Sequence, residues 1–307
     1  MLSSQHSEAQ GARRDKMAST APTAIIDLPP EILHSVFDSL DGVDLHAVCL
    51  VCRALHGLAE SALYAKIYWT WSETKIPPIS LLLRSILSRP GLGAHIKSLQ
   101  LDGNDFDRRF TRGGMPPTIP VNETVLLRLT AFIDKLNFPY GDLWVCRLRT
   151  GTMDAYVAAL LAHLPNLTTL HVDTNFGTVS QIVGILLRLA LCNSSVKVLL
   201  PTFQHLQKVS VEAIGLLRPL CRVAPGMNAT TIRSLRYRNT EDMLPYLYLP
   251  SIQYLSASIA NPVSFAWPTS QLPCSSALTS LHLKFFREAH IKHILPHTTA
   301  LKTLHWE

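Results

Sequence analysis

LPCSSALTSLHL, Leu272 to Leu283, returns 23 residues later as LPHTTALKTLHW, Leu295 to Trp306, with Leu, Pro, Ala, Leu, Leu and His in register. Such agreement carries weight because the shorter pattern within it, apolar-x-x-apolar-x-apolar, carries little. In a chain that is 47% apolar, chance alone gives roughly one match per ten positions. Shortened versions stand earlier, as LPNLTTLHV from Leu164 and LPSIQYLSA from Leu249. IKSLQLDGN from Ile96 and LTTLHVDTN from Leu167 each complete L-x-x-L-x-L-x-x-N, ending on Asn104 and Asn175. The central apolar residues of the units are Leu99, Cys146, Leu170, Val209, Leu235, Leu255, Leu281 and Leu304.

Most of these centres recur at about 20 to 29 residues, and the region resembles an irregular leucine-rich-repeat solenoid. The resemblance implies an α/β fold in which each short strand turns two apolar residues into a shared core. Returning segments such as 155–163 and 179–191 would supply helices on the outer face. The longest interval holds DGNDFDRRFTRGGMPPTIP, read as a Gly/Pro-rich insertion, and a degenerate turn is expected at 196–200. A globular α/β domain with accidental matches is the alternative.

If the strands are real, the residues between the apolar positions line the concave face. The central column is then Gln100, Arg147, His171, Ser210, Arg236, Ser256, His282 and His305. Its neighbour runs from acidic Asp102, Asp173 and Glu212 to basic Arg238 and Lys284. From these columns Arg147, His171, Arg236, Arg238, His282 and Lys284 are the candidate substrate-binding residues, the alternative being a solvated strand surface. The last strand, with Leu301, Leu304 and Trp306, is expected to lack a polar cap.

The N-terminal region has a different pattern. Residues 1–24 are polar and small and read as a disordered leader. In LPPEILHSVFDSL, Leu28 to Leu40, Pro29 and Pro30 suit the opening turn of a helix and Glu31 complements its dipole. That helix should stop at Asp41-Gly42. Asp44 is expected to cap a second helix with Leu45, Val48, Cys52 and Leu55 on one seam. A third helix should follow a break near Gly57 and run from about Leu58 to Ile67. Leu50, Val51 and Leu58 fall off the seam, so apolar surface is left over for a partner.

The run from Leu28 to Tyr68 resembles the F-box, in the form of fungal-type F-box proteins with a repeat-like C-terminal region. The resemblance rests on Leu28-Pro29, the pairs Ile32-Leu33 and Val36-Phe37, Asp44-Leu45, and Val51-Cys52-Arg53. Where the family often has an aromatic residue after Arg53, this chain has Leu55. The resemblance implies docking to a Skp-type adaptor through Leu28, Pro29, Ile32, Leu33, Val36, Leu45, Val48, Val51, Cys52 and Arg53. Through that adaptor it implies a cullin–RING ubiquitin ligase. The expected organisation is a leader at 1–24, an F-box-like helical domain at 25–70, a linker at 71–80 and the repeat region at 81–307. An ordinary helical cap on the repeats is the alternative for the second segment.

Composition narrows the remaining classes. The formal charge of +6 comes from 28 basic and 22 acidic residues. The basic residues are scattered, the densest sets being Arg108, Arg109, Arg112 and Arg233, Arg236, Arg238, so nucleic-acid binding is not expected. The 6 cysteines have no framework spacing, and the start has no apolar signal core, which points to a reducing cytoplasmic or nuclear setting. The sequons at Asn122, Asn166, Asn193 and Asn228 are then incidental. Arg84 and Arg188 interrupt the best apolar runs, so no membrane span is expected.

Neither a catalytic motif nor a cofactor site is legible. Cys49-Leu-Val-Cys52 has no second cysteine pair and reads as two packed helix residues. Of the 13 histidines, His290, His293 and His297 have near-helical spacing, but Pro296 should end the helix first, and they read as surface residues. Two functions follow. One is a non-catalytic adaptor that presents a protein substrate for ubiquitin-dependent degradation. The other is a repeat scaffold whose F-box-like helices serve assembly or its own turnover.

Overall fold

The computed structural model describes residues 25–72, 75–103, 118–173, 176, 181–192, 200–211, 244–258, 267, 272–273 and 277–307. The chain divides into two compact units at Glu60/Ser61, inside the third helix.

The first unit begins with a single turn at Ile25–Asp27 and the helix α1, Pro30–Asp38. Pro29 is its N-cap and Pro30 opens it, where a missing N–H costs no intrahelical bond. Helix α2 spans Gly42–Val51 and is capped by Asp41, not Asp44: the Asp41 Oδ1 accepts from the Val43 and Asp44 amides, both at 2.9 Å. Helix α3 runs over Arg53–Ala65 with Gly57 inside it. The break expected at Gly57 lies at Cys52, whose backbone is extended (φ −158°, ψ 165°). Leu33, Phe37, Leu45, Cys49, Leu55 and Ala59 are buried. Within each helix the two stand four residues apart, about one helical turn, so each helix turns one apolar stripe inward.

The second unit is built on a parallel sheet of seven strands in sequence order. They are β1 (Lys66–Trp71), β2 (Ser98–Gly103), β3 (Thr169–Val172), β4 (Lys208–Val211), β5 (Tyr254–Ser258), β6 (Ser280–Lys284) and β7 (Thr303–Trp306). The strand β1 lies in the stretch read as the end of the helical domain, so pairing starts at Lys66, well before residue 81. Its alternation is weak because Trp69 and Thr70 are both half-buried.

Register is the firmest match to the sequence. Leu99, Leu170, Val209, Leu255, Leu281 and Leu304 pair in succession, continuing a row that starts at Ile67. A repeated backbone step sets this register. The amides of successive residue pairs converge on one carbonyl of the previous unit: Thr168 and Thr169 on Lys97, Gln207 and Lys208 on Thr168, Gln253 and Tyr254 on Gln207. The same step recurs from Thr279 and Ser280 to Gln253, and from Lys302 and Thr303 to Thr279. Of the other two members of the expected series, one is untested and one differs. Leu235 lies outside the described residues, as do Asn104, Asn175, Arg108, Arg109, Arg112 and all but Leu200 of the turn expected at 196–200. Cys146 is in a helix.

Between the strands run α4 (Ile79–Ser88), α5 (Gly91–His95), α6 (Glu123–Leu136), α7 (Gly141–Arg149), α8 (Met153–Leu161), α9 (Gln181–Cys192) and α10 (Glu288–Ile294). The linker assigned to 71–80 thus ends inside α4. The expected returning helices at 155–163 and 179–191 correspond to α8 and α9. The sequon at Asn122 is the N-cap of α6, its side chain accepting from the Val125 amide at 3.0 Å.

The inward side of the sheet (Leu99, Leu101, Leu170, Val209, Leu255, Leu281) and the helices between them form one buried apolar cluster with Trp144, Tyr156 and Leu160. Trp144 Nε1 donates to the Ala155 carbonyl at 2.9 Å, so the indole is buried with its polar atom satisfied. Packing is close at α5, where a Cβ on Gly93 would collide with the His163 backbone carbonyl. Because backbone can yield only by moving a whole element, Gly93→Ala is expected to cost about 1–3 kcal/mol. Urea unfolding of the variant checks this; a midpoint equal to that of the parent chain would refute the close approach.

The outer strand β7 keeps Leu304 and Trp306 exposed, and Trp306 Nε1 donates to the Phe286 carbonyl at 2.9 Å.

Candidate docking surfaces

Two surfaces bring together the residues singled out in the sequence, one in each unit. In the helical unit the most exposed apolar residues are Val43 (77%), Leu50 (73%) and Val51 (69%), followed by Ile25 and Ile26 in the opening turn and Ile32 and Val36 from α1. Pro29, Cys52 and Arg53 are also exposed, while Leu28 and Val48 are half-buried.

Two expected contact residues are corrected. Leu33 is 1% exposed and Leu45 6%; both are spent on the unit's own packing and cannot present side chains to a partner. They occupy the buried stripe with Phe37 and Cys49, whereas Ile32 and Val36 lie one position round the helix. Cys52 also departs from expectation. It sits at the break between α2 and α3, exposed, while Cys49 is buried and its thiol pushed up by burial and then by Glu60. His56 links the same helices, its Nδ1 donating to the Cys49 carbonyl at 3.1 Å. Val43, which the sequence pattern does not single out, lies in the first turn of α2 because Asp41 rather than Asp44 caps that helix.

The second surface is the sheet face opposite the apolar cluster. Strand alternation and register put Tyr68, Gln100, His171, Ser210, Ser256, His282 and His305 in one row across all seven strands. The row below it carries Thr70 and Asp102 on β1 and β2, and Ser258 and Lys284 on β5 and β6. His171 and His282 are therefore on the open face with Lys284, as expected.

Arg147 is not. It lies in α7, whose buried residues are Leu143, Trp144 and Leu148. The local sequence LWVCRL satisfies both the strand pattern and a helix with partners at i and i+4, and Asp142 in the first turn with Arg147 and Arg149 in the last complement the helix dipole. Arg236, Arg238 and Glu212 lie outside the described residues.

The two ends of the face differ chemically. On β2 and β3, His171 Nε2 is 3.2 Å from an Asp102 oxygen, Gln100 Nε2 donates to the same carboxylate at 3.2 Å, and Asp173 accepts from the Gly103 amide at 3.2 Å. On β5 to β7 the rings of Tyr254 and His282 are 5.3 Å apart and those of His282 and His305 4.3 Å. Burial lowers the His282 pKa, His305 lowers it further, Glu307 pulls it up and Lys284 pushes it down.

Among the described residues no group of three or more His, Cys, Asp or Glu could hold a metal ion, and no helix is long and apolar enough to cross a membrane. His290 is buried in α10 with its ring 6.3 Å from Phe286, which corrects its reading as a surface residue. His293 is exposed, and His297 meets Trp267 edge-on at 5.3 Å.

No curated protein matches the chain. Residues 25–69, which hold all three helices of the first unit and the start of β1, match the family model described as F-box-like.

Proposed function

We propose that this protein is a non-catalytic substrate adaptor of an SCF-type cullin–RING ubiquitin ligase. The match over residues 25–69 carries the reading, because an F-box-like domain suggests binding of a Skp-type adaptor. Val43, Leu50 and Val51, exposed on α2 beside its buried Leu45 and Cys49, supply the surface such binding needs. The second unit reads as an irregular leucine-rich-repeat solenoid. The sequential parallel strands and the repeated carbonyl step between them support that description. Its open face, with His171, His282 and Lys284, would hold the substrate while other subunits perform the chemistry, so that proximity alone supplies the rate.

Affinity purification with mass spectrometry under proteasome inhibition tests the assignment. The expected result is co-purification of a Skp-type adaptor and a cullin together with a protein that accumulates when this chain is depleted. Recovery of the adaptor with no accumulating protein would favour a scaffold that uses its helices for assembly or self-turnover. Absence of the adaptor would refute both.

A further inference from the structure

The open face of the sheet is uneven in a way that specifies a ligand. On β6 and β7 the imidazoles of His282 and His305 lie 4.3 Å apart, tilted by 44°, with Lys284 two residues further along β6 and the Tyr254 ring of β5 5.3 Å from His282. Protonating either ring places a cation beside the other and beside an ammonium, a cost that an external anion would relieve. Glu307 is the one described carboxylate at this end, and it offsets only Lys284. The other charged groups whose strand positions face this side are Lys66 on β1, Asp102 on β2, Asp173 at the end of β3 and Lys208 on β4. Asp102 and Asp173 are paired to Gln100, His171 and the Gly103 amide. They stand at least three strand spacings from β6, about 14 Å. An anionic segment would therefore settle on β5 to β7 and be turned away from β2 and β3.

We propose that the β5–β7 end of the open face docks an extended segment of the substrate rich in Asp and Glu, held by His282, His305 and Lys284 and gripped more tightly as the imidazoles protonate. The proposal rests on the open face being the substrate surface. Carboxylate is chosen over phosphate because no arginine stands on the described strands to grip a phosphate with two parallel hydrogen bonds. Tyr254, Ser256 and Ser258 add a flat hydroxyl-bearing border on β5.

The sign of the pH effect follows from the geometry. With both imidazoles neutral, Lys284 and Glu307 leave no excess of positive charge and this end of the face attracts no anion. A bound carboxylate opposes the burial and the neighbouring charges that hold the His282 pKa down, so binding takes up a proton and strengthens as pH falls. One proton taken up changes affinity by up to about tenfold per pH unit.

The test uses the full chain and a fluorescein-labelled peptide of alternating Asp and Ser, followed by anisotropy at low ionic strength. Expected is binding about tenfold tighter near pH 6 than one unit higher, lost at high salt. His282→Gln with His305→Gln should flatten the profile without changing thermal unfolding, whereas His34→Gln, in α1, should leave the profile intact. Binding independent of pH, or an unchanged profile in the double variant, would overturn the proposal. So would preference for a phosphoserine peptide that binds better as pH rises, since phosphate gains charge in that direction. Failure of the underlying reading shows separately. Ser256→Trp, which obstructs the face beside His282, should abolish capture of the accumulating protein. If it does while the histidine variant has no effect, the face is the substrate surface and the acidic-segment proposal falls. Capture untouched by Ser256→Trp overturns both.

Discussion

Leu50→Asp combined with Val51→Asp is expected to weaken adaptor binding at least about thirtyfold while leaving the fold intact. Both side chains are exposed, at 73% and 69%, so the free chain gives up no buried contact when they become charged. In a complex the same residues would face an apolar partner, where one lost anchor costs about 2 kcal/mol or more and an unpaired buried carboxylate adds to it. About 2 kcal/mol already corresponds to a thirtyfold change. Leu28→Ala with Pro29→Ala should act in the same direction but mixes two effects, since Leu28 is half-buried and Pro29 caps α1. Leu33→Ala should weaken binding only by unfolding the unit, as expected for a side chain that is buried. Calorimetric titration with the purified adaptor, paired with thermal unfolding of each variant, separates these cases. Full affinity in the Leu50/Val51 variant would remove α2 from the docking surface.

The contrast between Leu33 and Val51 marks how far the sequence could be read. A family pattern records that a position is apolar; it does not say which of two apolar neighbours turns inward. Ile32-Leu33 and Val36-Phe37 are such pairs, and in each the structure buries the second member. Only the stripe formed with Leu45 and Cys49 decides the matter, and that needs the angle between helices. Strand register was more legible. The Leu281/Leu304 pairing follows from the repeat itself, because identical spacing on both sides of a turn leaves one alignment that keeps every inward residue inward. The same rule failed at Cys146, where a helix satisfies the apolar spacing equally well and Trp144 makes the helical choice by burying its indole against α8. The strand β1 was hidden for the opposite reason: Lys66-Ile-Tyr-Trp-Thr-Trp has too many aromatics to alternate visibly, and it follows α3 without a break.

Asp154 was invisible for a related reason, and its removal is expected to be the most destabilising single change to a polar residue in the second unit. Nothing in the sequence singles it out: it stands just before the segment expected at 155–163, and the structure places it in the first turn of α8, where Asp is common and contributes little. In the structure it is 5% exposed, and its carboxylate accepts from the Ile182 amide at 2.6 Å and the Val183 amide at 3.2 Å. Those amides belong to the first turn of α9 and have no partner within their own helix. The carboxylate thus caps a neighbouring helix across 28 residues of sequence and fixes where α9 starts against α8. Asp154→Ala would leave two buried N–H groups without this acceptor, at about 1–3 kcal/mol each. Water could reach them only by opening the packing of Ile182, Leu186 and Leu160, all fully buried. A loss of about 3 kcal/mol or more is therefore expected, which for a unit of this size lowers the melting temperature by roughly 6–12 °C. Asp154→Asn should lose less, because one oxygen remains to accept while the amide nitrogen opposes the second N–H. Asp142→Ala, at an exposed first-turn position of α7, should change stability by less than about 1 kcal/mol. In urea, the midpoint of Asp154→Ala should fall below that of Asp154→Asn, and both below the parent chain, with the Asp142 variant near the parent. Equal stability of Asp154→Ala and the parent chain would mean that α9 is held in place by its apolar face alone.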